Sequence, residues 1–241
     1  MRAEPQLNLL RKMSVHAENF PWAKTSTDGV DLRYFYDNEW YHQGDASVYA
    51  AMLIEFRPRQ VIEVGSGFSS ALLLDVDEHF LDGSTSITFI EPYPERLRSL
   101  VSDSDLANRL TETNLQDIPL ERFRALGEND VLFIDSTHVS RPGSDVNYLF
   151  FEVLPSLRPG VLVHLHDIHW PFEYPPEWIE SAWGWTETYL VRSFLQYNES
   201  FQIEFMNSYL RDVHPRNVGQ YLPLMAEAGP SPSGSLWIRR V

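Results

Sequence analysis

The chain has 241 residues, with 34 Asp and Glu against 19 Lys and Arg, a formal net charge of −15, 43% hydrophobic residues and no cysteine. That length and apolar share fit one large core. The acidity disfavours nucleic-acid backbones and anionic membranes, and the absent thiol excludes disulfides, thiolate nucleophiles and Cys-held zinc. No apolar h-region opens the chain and no run approaches a membrane span, so the expectation is a soluble, cytoplasmic protein whose partners are small molecules, neither nucleic acid nor membrane, with a homo-oligomer left open.

In chain order, residues 1–58 differ in texture from the rest. Five aromatics crowd the segment Tyr34–His42 without a clean period, as a cap packed over the sheet edge or as a lid lining an acceptor pocket. Tyr49, Met52, Leu53 and Phe56 then predict an amphipathic helix behind Asp45 as N-cap. Beyond it, apolar runs at Gln60–Val64, Ser86–Ile90, Val131–Ile134 and Val161–Leu165 alternate with helical patterns. That is the signature of a parallel sheet with helices on both faces.

The first strand runs into Gly65-Ser66-Gly67 and a helix-starting Ser69-Ser70. Such a turn brings backbone and helix N-terminus close to a nucleotide-like ligand. The third glycine of a dinucleotide fingerprint is missing, and Glu63 would repel a pyrophosphate; it suits a cation, and S-adenosylmethionine carries an ammonium and a sulfonium. The second strand ends in Glu91-Pro92-Tyr93, where Glu91 can accept from a ribose diol and Tyr93 can stack on a base; locally, Glu91 also reads as a capping acid before a Pro at N1.

Asp135 ends the fourth strand and His138 follows on the same edge; by themselves they read as a turn acid and a loop histidine. A helix follows behind Ser144, with Asp145 as a first-turn acid, until Pro155 ends it. The fifth strand ends in His164-Leu165-His166-Asp167. Strand alternation puts His164 and His166 on one face and Leu165 and Asp167 on the other, so one ion cannot meet all four without a bend; core histidines are the other reading. His169 shapes the loop before Pro171, in a second aromatic cluster at 169–185 that, with residues 34–42, predicts an acceptor pocket including Trp178 and Tyr36. A helical stripe at Leu190, Val191, Phe194 and Leu195, a strand at Phe201–Phe205, a loop at 229–235 and a last strand at Ser235–Ile238 complete the chain.

Four segments together, Glu63-Val64-Gly65-Ser66-Gly67, Phe89-Ile90-Glu91-Pro92, Asp130–Asp135 and Leu157-Arg158-Pro159-Gly160, resemble successive motifs of class I S-adenosylmethionine-dependent methyltransferases, over roughly residues 45–206. Ile134–His138 and His164–Ile168 are similar to the small-molecule O-methyltransferase branch that includes macrocin-type sugar enzymes. The resemblance implies an α/β, Rossmann-like, seven-stranded, mostly parallel sheet with its last strand reversed. One domain is expected, with a cap or lid at 1–58, a cofactor-binding core at 59–206 and a C-terminal connection at 207–241.

It further implies S-adenosylmethionine on Glu63, Gly65, Ser66, Gly67, Ser69, Glu91, Pro92, Tyr93 and Asp135, with Gln116 or Asp117 on the adenine amino group. His138 is implied as general base with Asp167 beside it, and Asp135, His166 and Asp167 as ligands of a divalent cation. Family metal sites use an acid pair where His166-Asp167 stands, so this set suits Mn²⁺, Fe²⁺ or Zn²⁺ better than Mg²⁺. The activity implied is O-methylation of a hydroxylated small molecule such as a sugar or secondary metabolite. A non-catalytic partner subunit of the same fold is the alternative, and a nicotinamide oxidoreductase is disfavoured by Ser70 and Glu63.

Overall fold

Seven strands form one sheet in the order β3-β2-β1-β4-β5-β7-β6: β1 (Gln60–Val64), β2 (Ser86–Ile90), β3 (Leu110–Thr111), β4 (Val131–Ile134), β5 (Leu162–Leu165), β6 (Phe201–Met206) and β7 (Leu236–Arg240). The computed structural model describes residues 1–29, 31–226 and 233–241. β1 through β5 run parallel, while β7 is antiparallel to both β5 and β6. The mostly parallel α/β sheet with a reversed last strand is therefore present as expected, with β3 added. Pairing of only Phe89–Leu110 and Ile90–Thr111 makes β3 too short to leave a periodic signal.

Central strands read as apolar runs because both faces are covered. Every residue of β4 and β5 is buried, including His164, whose ring stacks on Phe133 at 4.1 Å and 7°. His164 is thus a core residue, and its burial holds the imidazole below its ordinary pKa and neutral.

Three helical expectations are corrected. The helix Gln43–Phe56 is buried from Gly44 through Leu53, so it is enclosed all round rather than amphipathic. Asp45 lies inside it, with His42 at the N-cap; its carboxylate accepts from Asn207 Nδ2 (3.0 Å) and from the hydroxyls of Ser233 (2.8 Å) and Ser235. Pro155 does not end the helix that follows Ser144: Asp145–Tyr148 continues through a π-helical turn at Leu149–Val153 into Leu154–Ser156. The wider turn relaxes the hydrogen-bond ladder where proline has no N–H to give.

The segment 34–42 folds around Asn38, whose side chain donates to Phe35 O and Tyr41 O and accepts from the amides of Trp40 and Tyr41. The preceding residues are fastened by buried Asp75, which accepts from Trp22 Nε1 and the amides of Arg33 and Tyr34. Of the predicted 229–235 loop, residues 229–232 lie outside the described residues. Among those described, no helix is long and apolar enough to cross a membrane.

Candidate active site

The parallel ladder carries three chain ends to one edge of the sheet. Gly65 N donates to Ile90 O, Asp135 N to Val64 O and His166 N to Ile134 O, so the residues after β1, β4 and β5 emerge side by side. Gly65 has φ +78°, and a Cβ there would sit 1.7 Å from the Asp135 carbonyl oxygen. Only glycine fits so close an approach in that backbone region.

On one side of this edge lies a cavity of about 680 Å³, lined by Gly65, Glu91, Pro92, Tyr93, Gln116 and Asp135, with Arg141 and Ser144 opposite. Glu91 accepts from the Ser66 amide through Oε2 (3.0 Å) and from the Tyr93 amide through Oε1 (2.8 Å). Gln116 is held by donation to Gly143 O at 2.8 Å, and Tyr93 stands exposed at the rim.

The other expected cofactor residues sit elsewhere. Glu63 and Ser69 are buried behind the loop: Ser69 and Ser70 hydroxyls both donate to Glu63 Oε1 at 2.7 Å. Burial pushes the Glu63 carboxyl up to about 8 against those two hydrogen bonds, so it is protonated at neutral pH and offers no charge to a ligand. Gly67 faces Arg96, Asp117 is not among the residues that line the cavity, and Ser66 takes part through its backbone N–H to Glu91.

At the centre, Asp135, His166 and Asp167 each offer a ligand atom, all within 4.8 Å of one another. His166 Nδ1 is 3.4 Å from Asp167 Oδ2 and 3.6 Å from Asp135 Oδ1, while its Nε2 is 3.9 Å from Asp45 Oδ2. The bend that alternation requires exists: β5 ends at Leu165 and Asp167 has φ +58°. His138, at φ +57°, places Nε2 3.2 Å from Asp135 Oδ1 and 3.8 Å from Asp167 Oδ2. Two non-glycine residues in the left-handed region at one site are costly backbone states that the surrounding packing enforces.

Glu187 and Asp45 are site neighbours that the sequence reading missed. Glu187 opens the helix Glu187–Leu195 and accepts or shares a proton with His138 Nδ1 at 2.8 Å, fully buried. Its sequence signature is that of any first-turn acid. The charges are mutually dependent. Burial would lower His138, but the hydrogen bonds its ring makes to the Asp135 and Glu187 carboxylates raise it to about 10. Burial would also lower His166, yet Asp167 and Asp135 hold it well above its ordinary value. Both carboxylates are in turn kept below their usual range against burial, first by His166.

A second cavity of about 550 Å³ opens on the other side, bounded by His166, Asp167, Trp40, Trp178, Trp183 and Trp185, with Glu39, His42 and Asp45. The two aromatic segments meet here as expected. Tyr36 is the exception, since its ring packs on Trp22 and Tyr34 instead.

A 3-2-1-4-5-7-6 sheet with a reversed seventh strand, a glycine turn after β1 and an acid after β2 defines a class I methyltransferase fold. Residues 62–168 match a family model described as methyltransferase domain. An uncharacterized protein of Archaeoglobus fulgidus is 32% identical over 130 residues, covering 54% of this chain and 58% of that protein, so the match spans little more than half of either. An apo structure of CmcI superposes with a TM-score of 0.50 at 19% identity, over 85% of this chain and 73% of its own. A methyltransferase of Podospora anserina, PaMTH1, solved with S-adenosylhomocysteine, gives 0.49 at 13% identity over 97% and 88%. Residues 62–168 thus carry the match to a methyltransferase domain, within a chain that shares the fold of CmcI.

Proposed function

We propose that this chain moves the methyl group of S-adenosylmethionine to a hydroxyl oxygen of a small molecule, with His138 receiving the hydroxyl proton. The observation that carries the reading is the junction of two cavities: Asp135 lines one, His166 and Asp167 line the other, and His138 reaches both carboxylates. Donor and acceptor would meet there, and alignment is the larger part of what a methyl displacement needs.

The residues fit the donor. Gly65 permits close backbone approach, Glu91 keeps free lone pairs for a ribose diol, and Gln116 faces the base end. The sulfonium supplies an activated methyl whose departing sulfur needs no proton. Asp135 and Asp167 offer carboxylate oxygens to its positive charge.

A divalent cation also fits. Asp135, His166 and Asp167 converge, and neither His166 nitrogen makes a hydrogen bond although the side chain is buried. When bound there, such an ion would lower the pKa of an acceptor hydroxyl. The mixed nitrogen and oxygen donors favour Mn²⁺, Fe²⁺ or Zn²⁺.

His138 must be neutral at Nε2 to act as base. Asp135 holds its proton less tightly once its own charge is shared with a cationic ligand, while Glu187 keeps Nδ1 oriented. In the step itself the S–CH₃ bond breaks with its electron pair going to sulfur, the O–CH₃ bond forms, and the proton goes to His138. Calorimetry with S-adenosylhomocysteine tests the reading: binding with methylated products from a hydroxylated-metabolite panel is expected. NAD binding without S-adenosylhomocysteine binding would overturn it.

A further inference from the structure

The second cavity has a chemical bias. Its walls hold four of the chain's seven tryptophans, Trp40, Trp178, Trp183 and Trp185, and among the described residues no lysine or arginine lines it. Three carboxylates border it, with Glu39 exposed at the rim and Asp45 and Asp167 deeper in. By contrast, the cofactor cavity includes Arg141.

Indole faces carry negative potential and are the strongest aromatic partners of cations. Trp40 already shows this: the Arg96 guanidinium lies 3.6 Å from its ring centroid. Trp178, Trp183 and Trp185 crowd one another at centroid distances of 4.7–5.3 Å, and among the described residues no guanidinium or ammonium lies upon them. His166, 6% exposed, borders the same space with both ring nitrogens lacking a hydrogen bond. Its nearest partners are the carboxylates of Asp167, Asp135 and Asp45 at 3.4–3.9 Å, beyond good hydrogen-bond geometry, which leaves its ring nitrogens capacity for a ligand atom.

We propose that this cavity binds a ring-containing hydroxylated molecule bearing a positively charged amine, with the tryptophans on its ring and cation and Glu39 at its ammonium. About 550 Å³ is the space of a drug-sized molecule rather than a polymer segment. Phosphorylated or carboxylated acceptors would face the carboxylates of Glu39, Asp45 and Asp167, while the His166 charge is already shared by Asp135 and Asp167, and are disfavoured by repulsion. The proposal rests on the methyl-transfer reading only in treating this molecule as the acceptor.

Three probes share one phenol ring and hydroxyl and differ in side-chain charge: tyramine, 4-ethylphenol and 4-hydroxyphenylacetate. Their binding can be read from quenching of tryptophan fluorescence excited at the red edge, where the phenols do not absorb. Tyramine is expected to bind about tenfold tighter than 4-ethylphenol and about a hundredfold tighter than 4-hydroxyphenylacetate. Glu39→Gln, at an exposed position, should narrow the first gap, and Trp178→Ala should weaken tyramine and 4-ethylphenol together. Equal binding of all three, preference for the carboxylate, or no quenching by any of them would overturn the proposal. Calorimetry with S-adenosylhomocysteine on the same sample separates the two readings. Charge selectivity without S-adenosylhomocysteine binding removes methyl transfer and keeps the cation site; the reverse removes the cation site alone.

Discussion

His138 Nδ1 lies 2.8 Å from Glu187 Oε2, and the backbones of the pair are tied as well: the amides of Thr186 and Glu187 both donate to the His138 carbonyl, at 2.9 and 3.1 Å. Side chain and main chain together hold a left-handed residue in place and leave Nε2 pointing to Asp135. Glu187 is a positioning residue in this arrangement.

Glu187→Gln should therefore lower kcat by about 10- to 100-fold with little change in S-adenosylhomocysteine affinity. Removing a carboxylate that raises the His138 pKa also moves the base-dependent limb of the kcat profile to lower pH. His138→Ala should cost about 10²- to 10⁴-fold in kcat. An unmoved pH limb in Glu187→Gln would leave Glu187 with a structural role alone.

The His166 position selects the ion. EDTA should abolish turnover, and Mn²⁺ or Zn²⁺ should restore it better than Mg²⁺, because imidazole suits the softer ions. His166→Asp replaces the nitrogen donor with oxygen and should reverse that order toward Mg²⁺. Full activity after EDTA treatment would remove the ion from the reading.

Glu63 gives a pH signature in stability. Its folded pKa, about 8, lies above the unfolded value of 4.5, so the protonated form favours the fold. That stabilisation is complete below the unfolded pKa and is lost as pH rises toward 8, at about 1.4 kcal/mol per pH unit. Glu63→Gln keeps an acceptor for Ser69 and Ser70 without a charge to bury. Its thermal midpoint should gain on the wild type steadily from pH 5 to pH 8 by about 1–4 kcal/mol equivalent. Parallel curves would contradict this.

Gly65 and Gly83 form an internal comparison. Both have positive φ, but a Cβ at Gly65 meets backbone at 1.7 Å while one at Gly83 meets nothing within 4 Å. Gly83→Ala should cost about 1 kcal/mol from backbone conformation alone. Gly65→Ala should cost upward of about 2 kcal/mol and weaken S-adenosylhomocysteine binding more than about tenfold, since the loop and Asp135 must separate. Equal costs in chemical denaturation would refute the close-approach argument.

The sequence by itself determined the sheet and its edge. Val131–Ile134 is wholly apolar, and Val61–Val64 and Ile87–Ile90 are apolar but for Glu63 and Thr88, because these strands lie inside the sheet, so they were legible as local runs. The glycine turn and Glu91 follow directly from where those strands stop. Only the tertiary structure decided which polar groups meet. Glu187 lies 49 residues from His138, and Asn207 lies 162 from Asp45; no local pattern encodes such pairs. Period-2 alternation separates His166 from Asp167, and a left-handed turn at Asp167 reunites them once the strand has ended. Glu63 was legible as an acid at the strand end, but burial behind the loop, a property of the packed molecule, makes it neutral and engages it with Ser69 and Ser70. The four tryptophans around one cavity come from two segments more than a hundred positions apart, joined because the cap and the loop after β5 close over the same edge.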